Sequence, residues 1–115
     1  MPGARGEATI QAGEREVCIL FTNRALAEVE TRLKQSIIAV AQGFADGTAG
    51  VTELVHLLRV GMQAARREAR EGGAVSLNDA FEVLDEAGFT AVTVAVMDAV
   101  SAVLSFGTGD QDPNA

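Results

Sequence analysis

The feature that most constrains this chain is its last strongly apolar stretch, Phe89 to Phe106, FTAVTVAVMDAVSAVLSF. At ~100° per residue, Phe89, Val92, Val96, Met97, Val100, Val103 and Leu104 fall on one arc of a helix, with Ala91, Ala95, Ala99 and Ala102 as a smooth flank. Only Thr90, Val94, Asp98, Ser101 and Ser105 form a strip suited to water. A surface helix needs an apolar stripe of only ~100°, whereas this one is apolar over roughly two thirds of its circumference. Such a rod is expected to be buried, under its own chain or against another polypeptide. Its Val and Thr content also carries strand propensity, so a strand is the competing expectation.

The material available to cover that rod is limited. The chain has 115 residues, enough for one core, and that core must be built from Leu, Val, Ile, Ala and Met, since Trp and Tyr are absent. No apolar run approaches the ~20 residues of a membrane span, and the start MPGARGEAT has no signal-peptide core. A soluble, cytoplasmic chain is therefore expected, and the lone Cys18 fits a reducing compartment. The net charge of -7 is unevenly spread. All nine Lys and Arg residues lie before Glu71, whereas Glu71 to Ala115 carries eight of the sixteen acids. An acidic half repels phosphate backbones, which disfavours nucleic acid and favours a basic protein segment as partner.

Taken in order, Met1 to Gly6 reads as a disordered terminus and residues 7–106 as one domain. Glu7 to Gln11 and Glu16 to Phe21 have strand character around Ala12-Gly13-Glu14-Arg15, which predicts a β-hairpin with Gly13 at positive φ. Its second strand is apolar on both sides, Val17, Ile19 and Phe21 opposite Cys18 and Leu20, so helices should cover at least one face. Thr22 is placed to cap a helix in which Leu26, Val29 and Leu33 share a face, and Gln35-Ser36 to bend or restart it. The apolar stripe then continues through Ile37, Ile38, Val40, Ala41 and Phe44 to a loop at Asp46 to Gly50. Thr52 opens an amphipathic helix with Leu54, Leu57, Leu58, Gly61, Met62 and Ala65 on one side and Arg66, Arg67 and Arg70 in its last turns.

After Gly72-Gly73, Ser76 and Asp79 make a capping signature for a helix with Leu77, Ala80, Phe81 and Leu84 on its apolar face, stopped by Gly88. Folded back on its predecessor, this acidic helix would face the arginine cluster across the turn. Residues 107–115, GTGDQDPNA, read as a disordered acidic tail. The expected fold is mainly α (α+β), a short N-terminal β-hairpin packed on a four- to five-helix bundle.

No constellation announces chemistry. His56, the only histidine, has Val60 at i+4 and no cysteine or carboxylate there, so a metal site lacks its other ligands. Cys18 without a base beside it is expected to be a small core hydrophobe rather than a nucleophile. Asp79, Glu82, Asp85 and Glu86 crowd the outer sides of one helix, where a solvated face is the default. Gly47 and Gly50 fit neither a dinucleotide fingerprint nor a P-loop, and the arginines lack the interleaved aromatics of a single-strand binder. Neither catalysis, a cofactor, a metal, a membrane nor nucleic acid is expected.

Several segments, in this order and spacing, resemble the small tail assembly chaperones of long-tailed phages, in particular the type encoded by gene transfer agents. They are Arg24-Ala25-Leu26-Ala27-Glu28-Val29-Glu30 after the hairpin, Ser36 to Gly43, Leu54 to Met62, and Ser76-Leu77 through Leu84-Asp85-Glu86-Ala87-Gly88. The likeness spans about Glu7 to Phe106 and departs from the family pattern in its Val-rich last helix. It implies a non-enzymatic factor, in a bacterial host or prophage, that binds the tape measure protein or the tail tube subunit before the tail is built. The alternative is a structural tube or connector subunit that self-associates and stays in the particle. As contacts to a client or to a second copy, the residues favoured are Val96, Val100, Val103, Leu104 and Phe106, with Arg66, Arg67 and Arg70 for an acidic patch; for the apolar ones, core and interface are both open.

Overall fold

The chain begins with the hairpin its alternation predicts. A computed structural model describes residues 6–109, with side chains as far as residue 105. Strands β1 (Glu7–Ala12) and β2 (Arg15–Leu20) pair antiparallel, with Ala12 opposite Arg15 and Glu7 opposite Leu20. Gly13 at φ 65° makes the tight turn that this register needs. Ile10, Ala12, Ile19 and Phe21 are buried on one face. Glu7, Thr9, Gln11, Glu16 and Cys18 are exposed on the other.

Cys18 is thus not the core residue that its apolar neighbours suggest. Its cross-strand partner is Thr9, which places it on the polar face. Gly6 is not frayed either: it is buried, and its carbonyl accepts the Phe21 N–H at 2.7 Å. The remainder of the expected disordered N-terminus, residues 1–5, lies outside the described residues.

Among the described residues five helices follow: α1 (Asn23–Leu33), α2 (Ile37–Asp46), α3 (Val51–Glu68), α4 (Leu77–Ala87) and α5 (Phe89–Gly109). Their ends are set by local chemistry. Thr22 Oγ1 accepts the Ala25 N–H, Ser36 Oγ that of Ala39, and Ser76 Oγ that of Asp79. The Asp79 carboxylate in turn accepts the Ser76 N–H, which completes a capping box. Lys34 in the left-handed region ends α1, and Glu30 then accepts the Ile37 N–H at 2.8 Å, tying α1 to the start of α2. α3 opens one residue earlier than the threonine signal implies, with Gly50 as its cap and Glu53 accepting the Gly50 N–H.

α3, rather than α5, is the element the others surround. Leu54, Val55, Leu57, Leu58, Val60 and Gly61 are all buried, an arc of ~220° at 100° per residue. β2, α1, α4 and α5 all pack against it. Gly61 is where the hairpin comes closest, because a Cβ there would lie 2.9 Å from Phe21 Cζ and 3.2 Å from Ile19 Cβ. Glu28 on α1 reaches both Arg32 (3.4 Å) and Arg59 of α3 (3.1 Å).

α5 is helical, as its apolar arc predicts, and it runs on to Gly109, so the first residues of the expected disordered tail belong to it. Residues 110–115 lie outside the described residues. Val92, Val96, Ala99 and Val100 are buried against β1, α3 and α4, and the predicted wet strip of Thr90, Val94, Asp98, Ser101 and Ser105 is exposed throughout. Gly88, at φ 95°, allows α4 and α5 to meet at a bend of 114°. No single described helix is long and apolar enough to cross a membrane.

Candidate protein-interaction surface

The apolar residues favoured from sequence divide into three groups. Val96 and Val100 belong to this chain's own core, with 0% and 1% of their surface exposed, so nothing of them is left for a partner. The reason is geometric: the buried face of β1 and the flank of α3 close over the centre of the α5 arc. Val103 and Leu104 are half-buried at its shoulder and pack on the same cluster. The side chain of Phe106 lies outside the described residues.

Arg66 and Arg67 lie in the last turn of α3, as expected, whereas Arg70 follows its C-cap, Ala69, with φ 60° and is outside the helix. They do not face the acids of α4 as the sequence suggested. Among the described residues the ion pairs are Glu28 with Arg32 and Arg59, and Glu86 with Arg15 of the hairpin turn. Gln63 explains the difference. Its Oε1 accepts the Val75 N–H at 2.7 Å and its Nε2 donates to the Gly73 carbonyl, so the chain has already retraced to the level of residue 63 before α4 begins. The arginines project beyond the α3–α4 contact, and Arg66 donates instead to the Gly72 carbonyl.

What the structure adds is a set of large apolar side chains left in solvent. α4 turns Ala80, Val83 and Leu84 inward, which rotates Leu77 and Phe81 out of the face they were expected to share with the core. Phe81 is 41% exposed, and beyond the bend Phe89 is 43% and Val94 55% exposed. On the helical wheel of α4, Leu77 and Phe81 stand one turn apart, with Asn78, Glu82 and Asp85 on their outer side, all exposed. The sequence signal that could have found them is Val83: it competes with Leu77 for the core, and only one side of the helix can face inward.

His56 is half-buried on α3. Burial, aided by the charges of Arg59 and Arg32, lowers its imidazole pKa below the ordinary 6.5, while Glu53 pulls the other way. Its Nδ1 has no hydrogen-bond partner among the described residues. Burial works against the Glu28 carboxyl, but the hydrogen bonds and charges of Arg59 and Arg32 outweigh it and lower its pKa. Among the described residues no group of three His, Cys, Asp or Glu side chains could hold a metal ion. Comparison of the chain with family models, with curated proteins and with solved structures gives no match in any of the three.

Proposed function

We propose that the chain is a non-enzymatic assembly chaperone for a phage-type tail, which holds a basic amphipathic helix of the tape measure protein or the tail tube subunit before the tail is built. The observation that carries this reading is the exposed pair Leu77 and Phe81 on α4, beside Glu82 and Asp85, in a half of the chain with no Lys or Arg. A helix laid on that surface places apolar side chains at i and i+4 on Leu77 and Phe81, and Lys or Arg on the flanking carboxylates. The apolar contact supplies most of the affinity, and the charges set orientation and exclude acidic competitors. Order and spacing of the hairpin and helix segments, which resemble the gene-transfer-agent type of tail chaperone, support the same reading.

Co-expression tests it. The tape measure or tail tube protein should gain solubility and co-purify with the chain, and a variant carrying Leu77→Ser and Phe81→Ser should lose that effect while keeping its helical circular dichroism. A client that neither co-purifies nor gains solubility ends the proposal. Recovery of the chain in finished particles by mass spectrometry would favour a resident structural subunit instead.

A further inference from the structure

α2 is held to the fold by one side. Ile37, Val40 and Gly43 are buried and the helix packs chiefly on α1, whereas Ile38, Gln42 and Ala45 are exposed and Ala41 is half-buried. Those four stand at i, i+4, i+7 and i+3, one stripe of the helix, and Ile38 keeps 51% of its surface in solvent. Between Lys34 and Asp46 the sequence has no charged residue, so the stripe is uncharged along its length. Its two ends are not. Lys34 is exposed just before α2 and has no acidic partner among the described residues. Asp46 is exposed in the last turn, where the negative end of the helix dipole disfavours a carboxylate. Hydrogen bonds from the Thr48 hydroxyl and N–H lower its pKa, but among the described residues no cation pairs with it.

We infer that this stripe pairs with the same stripe of a second copy of the chain, the two α2 helices running antiparallel about a two-fold axis at Ala41 and Gln42. An isologous contact lays one patch on its own copy, so a patch of one charge repels itself. For a chain of net charge -7 that restricts where copies can meet. The exposed pair on α4 is bordered by carboxylates and repels its copy, whereas α2 is neutral where the axis passes. The ends supply the orientation. With the axis at Ala41 and Gln42, Ile38 opposes Ala45, and Asp46 opposes Ile37, about 4.5 Å along the helix from the level of residue 34 and within the ~6 Å reach of a lysine side chain. Each Lys34 thus meets Asp46 of the second copy, and each Asp46 comes to lie beside the positive end of the facing helix. Parallel helices would instead set Lys34 on Lys34 and Asp46 on Asp46. Ala41 and Ala45 let the axes approach to about 8 Å, the short end of helix packing distances. One ten-residue helix covers less than the ~800 Å² per partner of a standard interface, so the dimer is weak and concentration-dependent. α4 takes no part in it, so pairing through α2 is independent of the tail-assembly reading.

Sedimentation equilibrium of the full chain measures the pairing. The average mass should rise from that of one chain toward that of two between about 10 μM and about 1 mM, the range of a weak interface. Ile38→Asp and Gln42→Glu alter exposed positions, the first in the opening turn of α2, where an anion favours the helix. Each should weaken the dimer at least tenfold with unchanged helical circular dichroism. Lys34→Glu and Asp46→Lys should each weaken it at least fivefold when alone. An equimolar mixture of those two should recover the wild-type affinity, because the mixed dimer restores both ion pairs, and recovery also shows that both variants are folded. A chain that stays monomeric at millimolar concentration overturns the inference, as does a dimer that Ile38→Asp leaves intact or a mixture that associates no better than either variant alone. A dimer lost only in the variant carrying Leu77→Ser and Phe81→Ser also overturns it and assigns self-pairing to α4.

Discussion

Replacing Gly61 by alanine sets two opposed effects against each other at the closest approach of hairpin and helix. In the interior of α3, Gly→Ala contributes ~1 kcal/mol of helix propensity. The added methyl, however, would lie 2.9 and 3.0 Å from Cζ and Cε2 of Phe21 and 3.2 Å from Ile19 Cβ, and both residues are 1% exposed. Overpacking of this kind costs about 1–3 kcal/mol. Steric crowding outweighs propensity, so Gly61→Ala should destabilise by ~1 kcal/mol net, a fall in Tm of about 4 °C for a chain of this size. Urea or thermal unfolding followed by circular dichroism measures it. The sharper measurement is the double-mutant cycle. Phe21→Leu removes the two ring atoms that clash, so in that background Gly61→Ala should cost at least ~0.5 kcal/mol less than in the wild type. If Gly61→Ala stabilises the wild-type chain by the full propensity gain, or if the two changes add without coupling, hairpin and helix do not approach as described.

Two further outcomes follow from the caps and the titrating groups. Ser76→Ala removes the Oγ that accepts the Asp79 N–H, one of the two bonds of the capping box at the start of α4, and should cost ~1 kcal/mol in the same unfolding assay, more than Ser105→Ala on the wet strip of α5. His56 has a folded pKa below its unfolded 6.5, so the unfolded chain binds the proton more readily and stability falls as pH drops through 6.5 toward the folded value. His56→Gln should flatten that part of the profile, read as Tm between pH 7.5 and 5.5, and an unchanged slope would show that the imidazole is not desolvated. Glu28 acts lower down: its stabilisation is present above its ordinary 4.5 and is lost as pH falls through its depressed folded pKa.

Elements whose boundaries are written in short-range chemistry were legible in the sequence. Thr22, Ser36 and Ser76 cap as their positions predict, Gly13 and Gly88 turn the chain where expected, and α5 is a helix with its predicted wet strip. Features that depend on which neighbour wins a shared face were not. Cys18 reads as core from the run VCILF, and only pairing with Thr9 reveals it as an outward residue. The Arg66 to Arg70 cluster reads as the partner of α4, because nothing in the loop announces that Gln63 will fold the chain back past it.

α5 is the instructive case, because its greasy perimeter does demand a cover and finds it within the chain. A hairpin of this composition has one apolar face, Ile10, Ala12 and Ile19, and α3 occupies only part of it. The rest needs a cover of its own, and α5 supplies it, with Val103 reaching over the start of β1 so closely that a side chain at Gly6 would collide with its Cγ2. The centre of the α5 arc, Val92, Val96 and Val100, is therefore consumed by its own fold, whereas Phe89 at its start stays 43% exposed. Burial of that arc has a consequence one helix earlier: α4, joined to α5 through Gly88, turns Ala80, Val83 and Leu84 inward, and Leu77 and Phe81 on the other shoulder are left outside. Surplus apolar surface thus does exist, but at Leu77 and Phe81 rather than at Val96 and Val100, and it is bordered by carboxylates. The physical case for a binding protein rests on that displaced pair, which is why its replacement by serine is the experiment that separates a chaperone from a chain that merely folds.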